Sequence, residues 1–101
     1  MERANITIHR KQLADFCRKH HIRKMALFGS VLRDDFTADS DIDVLVEFEP
    51  DHTPGLAFFA IETELAEILG HRVELHTPAF LSHYFRDEVM SEAEIQYDAT
   101  S

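Results

Sequence analysis

A single cysteine cannot close an internal disulfide, so Cys17 excludes a disulfide-stapled fold and fits a reducing cytosol. A lone thiol of this kind reads as a small core residue. No apolar run approaches the roughly 20 residues of a membrane-spanning helix, and the opening "MERANITIHRKQ" has no apolar h-region of a secretory signal. A cytoplasmic protein with no membrane partner is therefore expected. Basic residues are scarce too: 10 Lys and Arg stand against 19 Asp and Glu, for a net charge of −9. The clusters "HRK" (9–11) and "RKHHIRK" (18–24) read as solvated helix ends. Direct nucleic-acid binding is not expected without a dominant basic surface; an acidic body prefers cations or a basic protein partner.

With three Gly and three Pro in 101 residues, punctuation is sparse and each mark is informative. A length of this order predicts one domain over 1–101 with a modest core. Leu13, Phe16 and Cys17 at helical spacing predict a helix over 7–20. "KMALFGS" (24–30) predicts a strand ending in a tight turn at Gly29. "DIDVLVEFE" (41–49) is strongly β; its alternation puts Ile42, Val44, Val46 and Phe48 on one face and Asp41, Asp43, Leu45 and Glu47 on the other. "PDHTPG" (50–55) is a loop, and Phe58, Ile61, Leu65 and Ile68 predict an amphipathic helix over 56–69, closed by Gly70. "HRVELHT" (71–77) predicts a third strand, with Val73 and Leu75 opposite Arg72, Glu74 and His76. Thr77-Pro78 reads as a helix start, followed by Leu81, Tyr84, Phe85, Glu88 and Val89. Ser91 and Glu94 predict a capping box for a last short helix through Tyr97. The expected order is α-β-β-α-β-α-α: an α/β (α+β) domain around a small sheet.

The chemistry concentrates in "LFGSVLRDDFTADSDIDVLVEF" (27–48). Asp41 and Asp43 share a strand face with Cα atoms about 7 Å apart. Two like charges this close repel, and Asp is disfavoured in strands. A divalent cation is the simplest compensation: Mg²⁺ takes hard oxygen ligands and keeps several waters, so two or three carboxylates suffice. Glu74, the acid on the third strand, is the candidate third ligand. The Gly29-Ser30 turn exposes backbone N–H groups and a hydroxyl that can cradle phosphate oxygens. Phosphate beside paired carboxylates is the arrangement of metal-assisted nucleotidyl transfer. Arg33 is read either as a phosphate neutraliser or as a surface partner of Asp34 or Asp35. Ser40 either caps the turn before the strand or contacts the nucleotide. His76 shares the face of Glu74 and reads first as a solvated strand-end histidine, and second as a group that orients a ligand. The Phe58-Phe59 and Tyr84-Phe85 pairs read as core.

Gly29-Ser30, ten intervening residues and Asp41-Ile42-Asp43 together resemble the signature of the nucleotidyltransferase superfamily, which includes DNA polymerase β. The nearer resemblance is to the minimal nucleotidyltransferases, the MntA-like antitoxins of HEPN/MNT systems. It extends to "LGHRVELHTP" and "YFRDEVMSEAEIQY", from about residue 7 to 98. The resemblance implies that Gly29 and Ser30 bind the triphosphate of ATP, with Arg33 and Ser40 nearby. It also implies a nucleotidyltransferase fold, a small mixed β-sheet flanked by helices, and that Asp41, Asp43 and a third acid hold two Mg²⁺ ions. That third position is usually Asp, whereas here it is Glu74, whose extra methylene carries the carboxylate outward by about 1.5 Å and bears on the rate.

The implied reaction is transfer of AMP from ATP to a protein hydroxyl, a tyrosine of a HEPN-domain ribonuclease toxin bound as a hetero-oligomer. The alternative is an antitoxin that neutralises its toxin by binding alone, with a weak or inactive site. A small-molecule or RNA nucleotidyltransferase is disfavoured by short length, negative charge and the lack of room for an acceptor domain.

Overall fold

The computed structural model describes residues 6, 8–78 and 83–99, and of residues 83–86 the backbone only. Helix α1 (Arg10–Lys19) leads into strand β1 (Ile22–Phe28), which ends in a short 3₁₀ turn over Gly29–Leu32. Strand β2 (Ile42–Phe48), helix α2 (Ala57–Leu69) and strand β3 (Val73–His76) follow, then helix α3 (His83–Glu92) and strand β4 (Glu94–Asp98). The sheet order is β3-β2-β1-β4. β1 runs antiparallel to both β2 and β4, whereas β2 and β3 are parallel. A parallel pair needs a crossover, and α2 supplies it. Helix α2 stops where expected, at Gly70 in the left-handed region (φ +67°), whose N–H donates to the Ala66 carbonyl. A mixed sheet with helices packed on it is the α+β architecture that the family resemblance implies.

The inner face of the sheet is made by alternation. Ile42, Val44 and Val46 of β2 are all fully buried, with Met25 and Leu27 opposite on β1 and Leu75 beside them on β3. Leu13, Phe16 and Cys17 of α1 and Ile61 and Leu65 of α2 close over them. Burial pushes the Cys17 thiol up to about 12, as expected of a core thiol in apolar surroundings. At the outer edge of β3 the Glu62 carboxylate of α2 accepts the Leu75 N–H at 2.8 Å, satisfying a donor that the sheet leaves open.

One expectation is overturned. Residues 94–98 form a strand, not a helix capped by Ser91 and Glu94. Ser91 lies inside α3 and its hydroxyl donates to the Glu88 carbonyl at 2.9 Å, while α3 itself ends at Glu92. The local capping signal loses to tertiary pairing: β1 has one side taken by β2, and the alternating β-formers Ile95 and Tyr97 fill the other. β1 also begins earlier than expected, at Ile22, and ends at Phe28, one residue short of Gly29. The helix start expected at Thr77-Pro78, together with Leu81, runs into residues 79–82, outside the described ones. Among the described residues no helix is long and apolar enough to cross a membrane.

Candidate active site

The register of three strands assembles the site. Asp43 pairs with Phe28 of β1 on one side and with Glu74 of β3 on the other. His76 pairs with Leu45, one pleat further along the same face. From there its Nε2 reaches back to Asp43 Oδ1 at 3.3 Å and lies 3.9 Å from Glu74 Oε1. One donor atom from each of Asp43, Glu74 and His76 falls within 4.8 Å of the others. Phe28 stands edge-on to the imidazole, ring centroids 5.2 Å apart, and limits how it can turn. The exposure is graded: the side chains of His76 and Asp43 are 23% and 26% exposed, that of Glu74 58%.

The electrostatics follow from this geometry. The hydrogen bond from His76 to Asp43 raises the imidazole pKa above its ordinary value; partial burial opposes it, and the fields of Glu74, Asp43 and Glu62 add to it. Two carboxylates face each other across β2 and β3, a like-charge pair that destabilises a sheet. The donor set of two hard carboxylates and one imidazole suits a divalent cation.

Gly29 is required here twice over. It leaves β1 at φ +77°, a left-handed conformation that L side chains rarely adopt. The place a Cβ would take is filled by Asp43 Oδ2. The turn and the carboxylate therefore touch, and any larger residue would push Asp43 off the site. Ser30 sits in the 3₁₀ turn and its carbonyl accepts the Arg33 N–H at 2.9 Å.

The remaining predicted residues surround this centre. Asp41 does not join the three-residue cluster. It precedes β2 and forms an ion pair with Arg72 Nε at 3.1 Å, while Arg72 Nη2 also donates to the Asp39 carbonyl. Arg33 is exposed and pairs with Asp35 at 3.5 Å. Ser40 closes the turn before β2: its Oγ accepts the Thr37 N–H at 3.1 Å and its own N–H donates to the Thr37 carbonyl at 3.0 Å. His76 is packed and hydrogen-bonded, not the solvated strand end that the first reading made it. The signal for it was present in "VELH", two positions after the candidate acid on the same face. Arg72 was legible only as a residue of that face, since its partner depends on register.

Comparison with known proteins identifies the family. The model of the nucleotidyltransferase domain family matches residues 9–95. One relative, MJ0128 of Methanocaldococcus jannaschii, inferred to be a protein adenylyltransferase, is 42% identical over 66% of this chain. The protein adenylyltransferase MntA of Thermococcus cleftensis is 38% identical over 69% of it. The chain spans 64% of the length of the first and 67% of the second. Among solved structures, one of an inferred minimal nucleotidyltransferase is 33% identical with a TM-score of 0.70, covering 83% of this chain and 85% of that one. A chain in the solved structure of a tri-AMPylated Shewanella oneidensis HEPN toxin in complex with MNT antitoxin shares the fold, at TM-score 0.65 and 20% identity over 90% of this chain and 71% of that one. The chain belongs to the nucleotidyltransferase domain family, among its MntA-like minimal members.

Proposed function

We propose that this chain transfers AMP from ATP to a tyrosine hydroxyl of a HEPN-domain ribonuclease toxin and thereby acts as its antitoxin. The observation that carries the reading is the in-register Asp43–Glu74 pair lying against the Gly29 turn. A phosphate chain held at that turn has its reacting phosphorus next to the carboxylates. Asp41, Asp43 and Glu74 would hold two Mg²⁺ ions, which when bound supply charge neutralisation for the triphosphate and the departing pyrophosphate.

The chain's own residues do the rest. The Ser30 hydroxyl and the backbone N–H groups of the turn orient the phosphates, a task of positioning. Arg33, exposed at the mouth of the turn, neutralises a phosphate oxygen on leaving Asp35, and Ser40 keeps Asp41 at the strand entrance. The tyrosine oxygen forms a bond to the α-phosphorus, the bond from that phosphorus to the bridging oxygen breaks, and pyrophosphate leaves with the electron pair. Glu74, the most exposed of the three clustered groups, takes the hydroxyl proton as general base. A net charge of −9 favours an acceptor surface that is basic.

Incubation with Mg²⁺, labelled ATP and the cognate toxin is expected to label the toxin, and Asp41→Ala with Asp43→Ala to abolish the label. Absence of any transfer by the wild-type pair sinks the enzymatic reading. The Arg72–Asp41 ion pair favours a second reading, an antitoxin that acts by binding while its site is idle. In that case the doubly substituted chain still protects cells from the toxin.

A further inference from the structure

We infer that His76 is a metal ligand through Nε2, and that the site it makes with Asp43 and Glu74 holds Mn²⁺ more tightly than Mg²⁺. The inference rests on the proposed nucleotidyl-transfer site and concerns which cation that site selects. An octahedral ion with bonds of about 2.1 Å has neighbouring donor atoms ~3 Å apart and opposite ones ~4.2 Å apart. Nε2 lies 3.3 Å from Asp43 Oδ1 and 3.9 Å from Glu74 Oε1. Small side-chain rotations bring all three onto one ion, the widest separation in the cluster being 4.8 Å or less.

Three features make the imidazole a built part of the site. β3 puts His76 on the face of Glu74, in register with Leu45 beside Asp43. Phe28 packs edge-on against the ring. The side chain is already largely withdrawn from water at 23% exposure, so coordination orders little that is free. Asp41, by contrast, is engaged by Arg72 outside the cluster. The ligand set that converges is therefore two oxygens and one nitrogen. Carboxylate oxygens suit both Mg²⁺ and Mn²⁺ in octahedral sites; of the two, Mn²⁺, a transition-metal ion, is the better acceptor of an imidazole nitrogen.

The test uses the full chain with Mn²⁺ alone, without nucleotide or partner, followed by electron paramagnetic resonance titration and electron spin-echo modulation. Wild type is expected to bind Mn²⁺ and to show the modulation of a directly coordinated ¹⁴N. In His76→Gln that modulation disappears and Mn²⁺ affinity falls about tenfold, while Mg²⁺ affinity, measured by competition, changes by less than about threefold. His71→Gln, a histidine outside the cluster that packs against Phe36, should leave all of this unchanged. Mn²⁺ bound by wild type without nitrogen coupling, or coupling that survives in His76→Gln, overturns the role of His76. Where Asp43→Asn abolishes Mn²⁺ binding in the same experiment, that failure leaves the proposed transferase site standing. Mn²⁺ binding undiminished in Asp43→Asn removes both readings.

Discussion

Two neighbouring steps of the same strand pair carry opposite electrostatics. Ile42 pairs with Val73, which places Asp41 beside Arg72 on the outer face; one pleat on, Asp43 pairs with Glu74. The first step is a surface ion pair at 3.1 Å between side chains 49% and 70% exposed. The second sets two carboxylates against each other, relieved among the described residues by His76. Backbone, register and face are the same, so propensity cannot account for the difference. What separates them is the Gly29 turn, which touches Asp43. The like-charged step lies against the turn at which the proposed phosphate chain is held, whereas Asp41 would reach a cation there only on leaving Arg72. The proposed site accounts for a local arrangement that costs stability, in a sheet that shows, one residue pair away, the stable alternative.

The largest effect is expected from breaking the contact that distinguishes the two steps. Gly29→Ala places a side chain in the left-handed region and into Asp43 Oδ2. The backbone penalty alone is about 1–2 kcal/mol, and displacement of Asp43 adds to it. We expect a loss of about 2 kcal/mol or more in urea denaturation, together with loss of Mn²⁺ or Mg²⁺ binding. A variant of wild-type stability that still binds metal would mean that Gly29 and Asp43 do not touch in solution.

A smaller and more diagnostic effect separates Arg72→Gln from Glu74→Gln in metal-free protein. Removing Arg72 takes away a surface ion pair, worth roughly 0.2–1 kcal/mol, and stability falls. Removing the Glu74 charge relieves a cross-strand repulsion of about 0.2–1 kcal/mol, and stability rises. Opposite signs for two substitutions, one just before β3 and one within it, are the signature of the contrast. Equal signs would show that the two steps are electrostatically alike.

How much of this was legible beforehand depended on whether a feature is local. The alternation in "DIDVLVEF" identified the buried face and put both aspartates on the other, because a strand's period of two is a property of the segment itself. Glu74 was legible for the same reason. Register is not local: nothing within "HRVELHT" says that Glu74 rather than Arg72 will lie beside Asp43, so the division between the two aspartates emerged only with the sheet. β4 failed in the same way. Ser91 and Glu94 carry a valid helix-cap pattern, yet the open side of β1 was the stronger competitor, and no segment announces that its neighbour lacks a partner. His76 lay between these cases, visible on its face but of unknown neighbours.

The smallest effect is a pH dependence confined to the second step. The groups facing the His76 imidazole are Asp43, Glu74 and Glu62, all acidic, and the hydrogen bond to Asp43 leads in raising its pKa in the folded state. A group whose folded pKa lies above its unfolded value, about 6.5 for histidine, stabilises the fold fully below that value. The contribution fades as pH rises through the higher folded pKa. With EDTA present, wild type should therefore lose stability relative to His76→Gln as pH rises from about 6 toward 8, since the protonated ring is what screens Asp43 from Glu74. The other six histidines titrate in both proteins and cancel in the difference. Glu74→Gln should shrink that difference, because part of the field on the imidazole goes with the carboxylate. Denaturation curves of wild type and His76→Gln that stay parallel across this range would place His76 outside the reach of both carboxylates, and the second step would then be an unscreened repulsion that only a bound cation relieves.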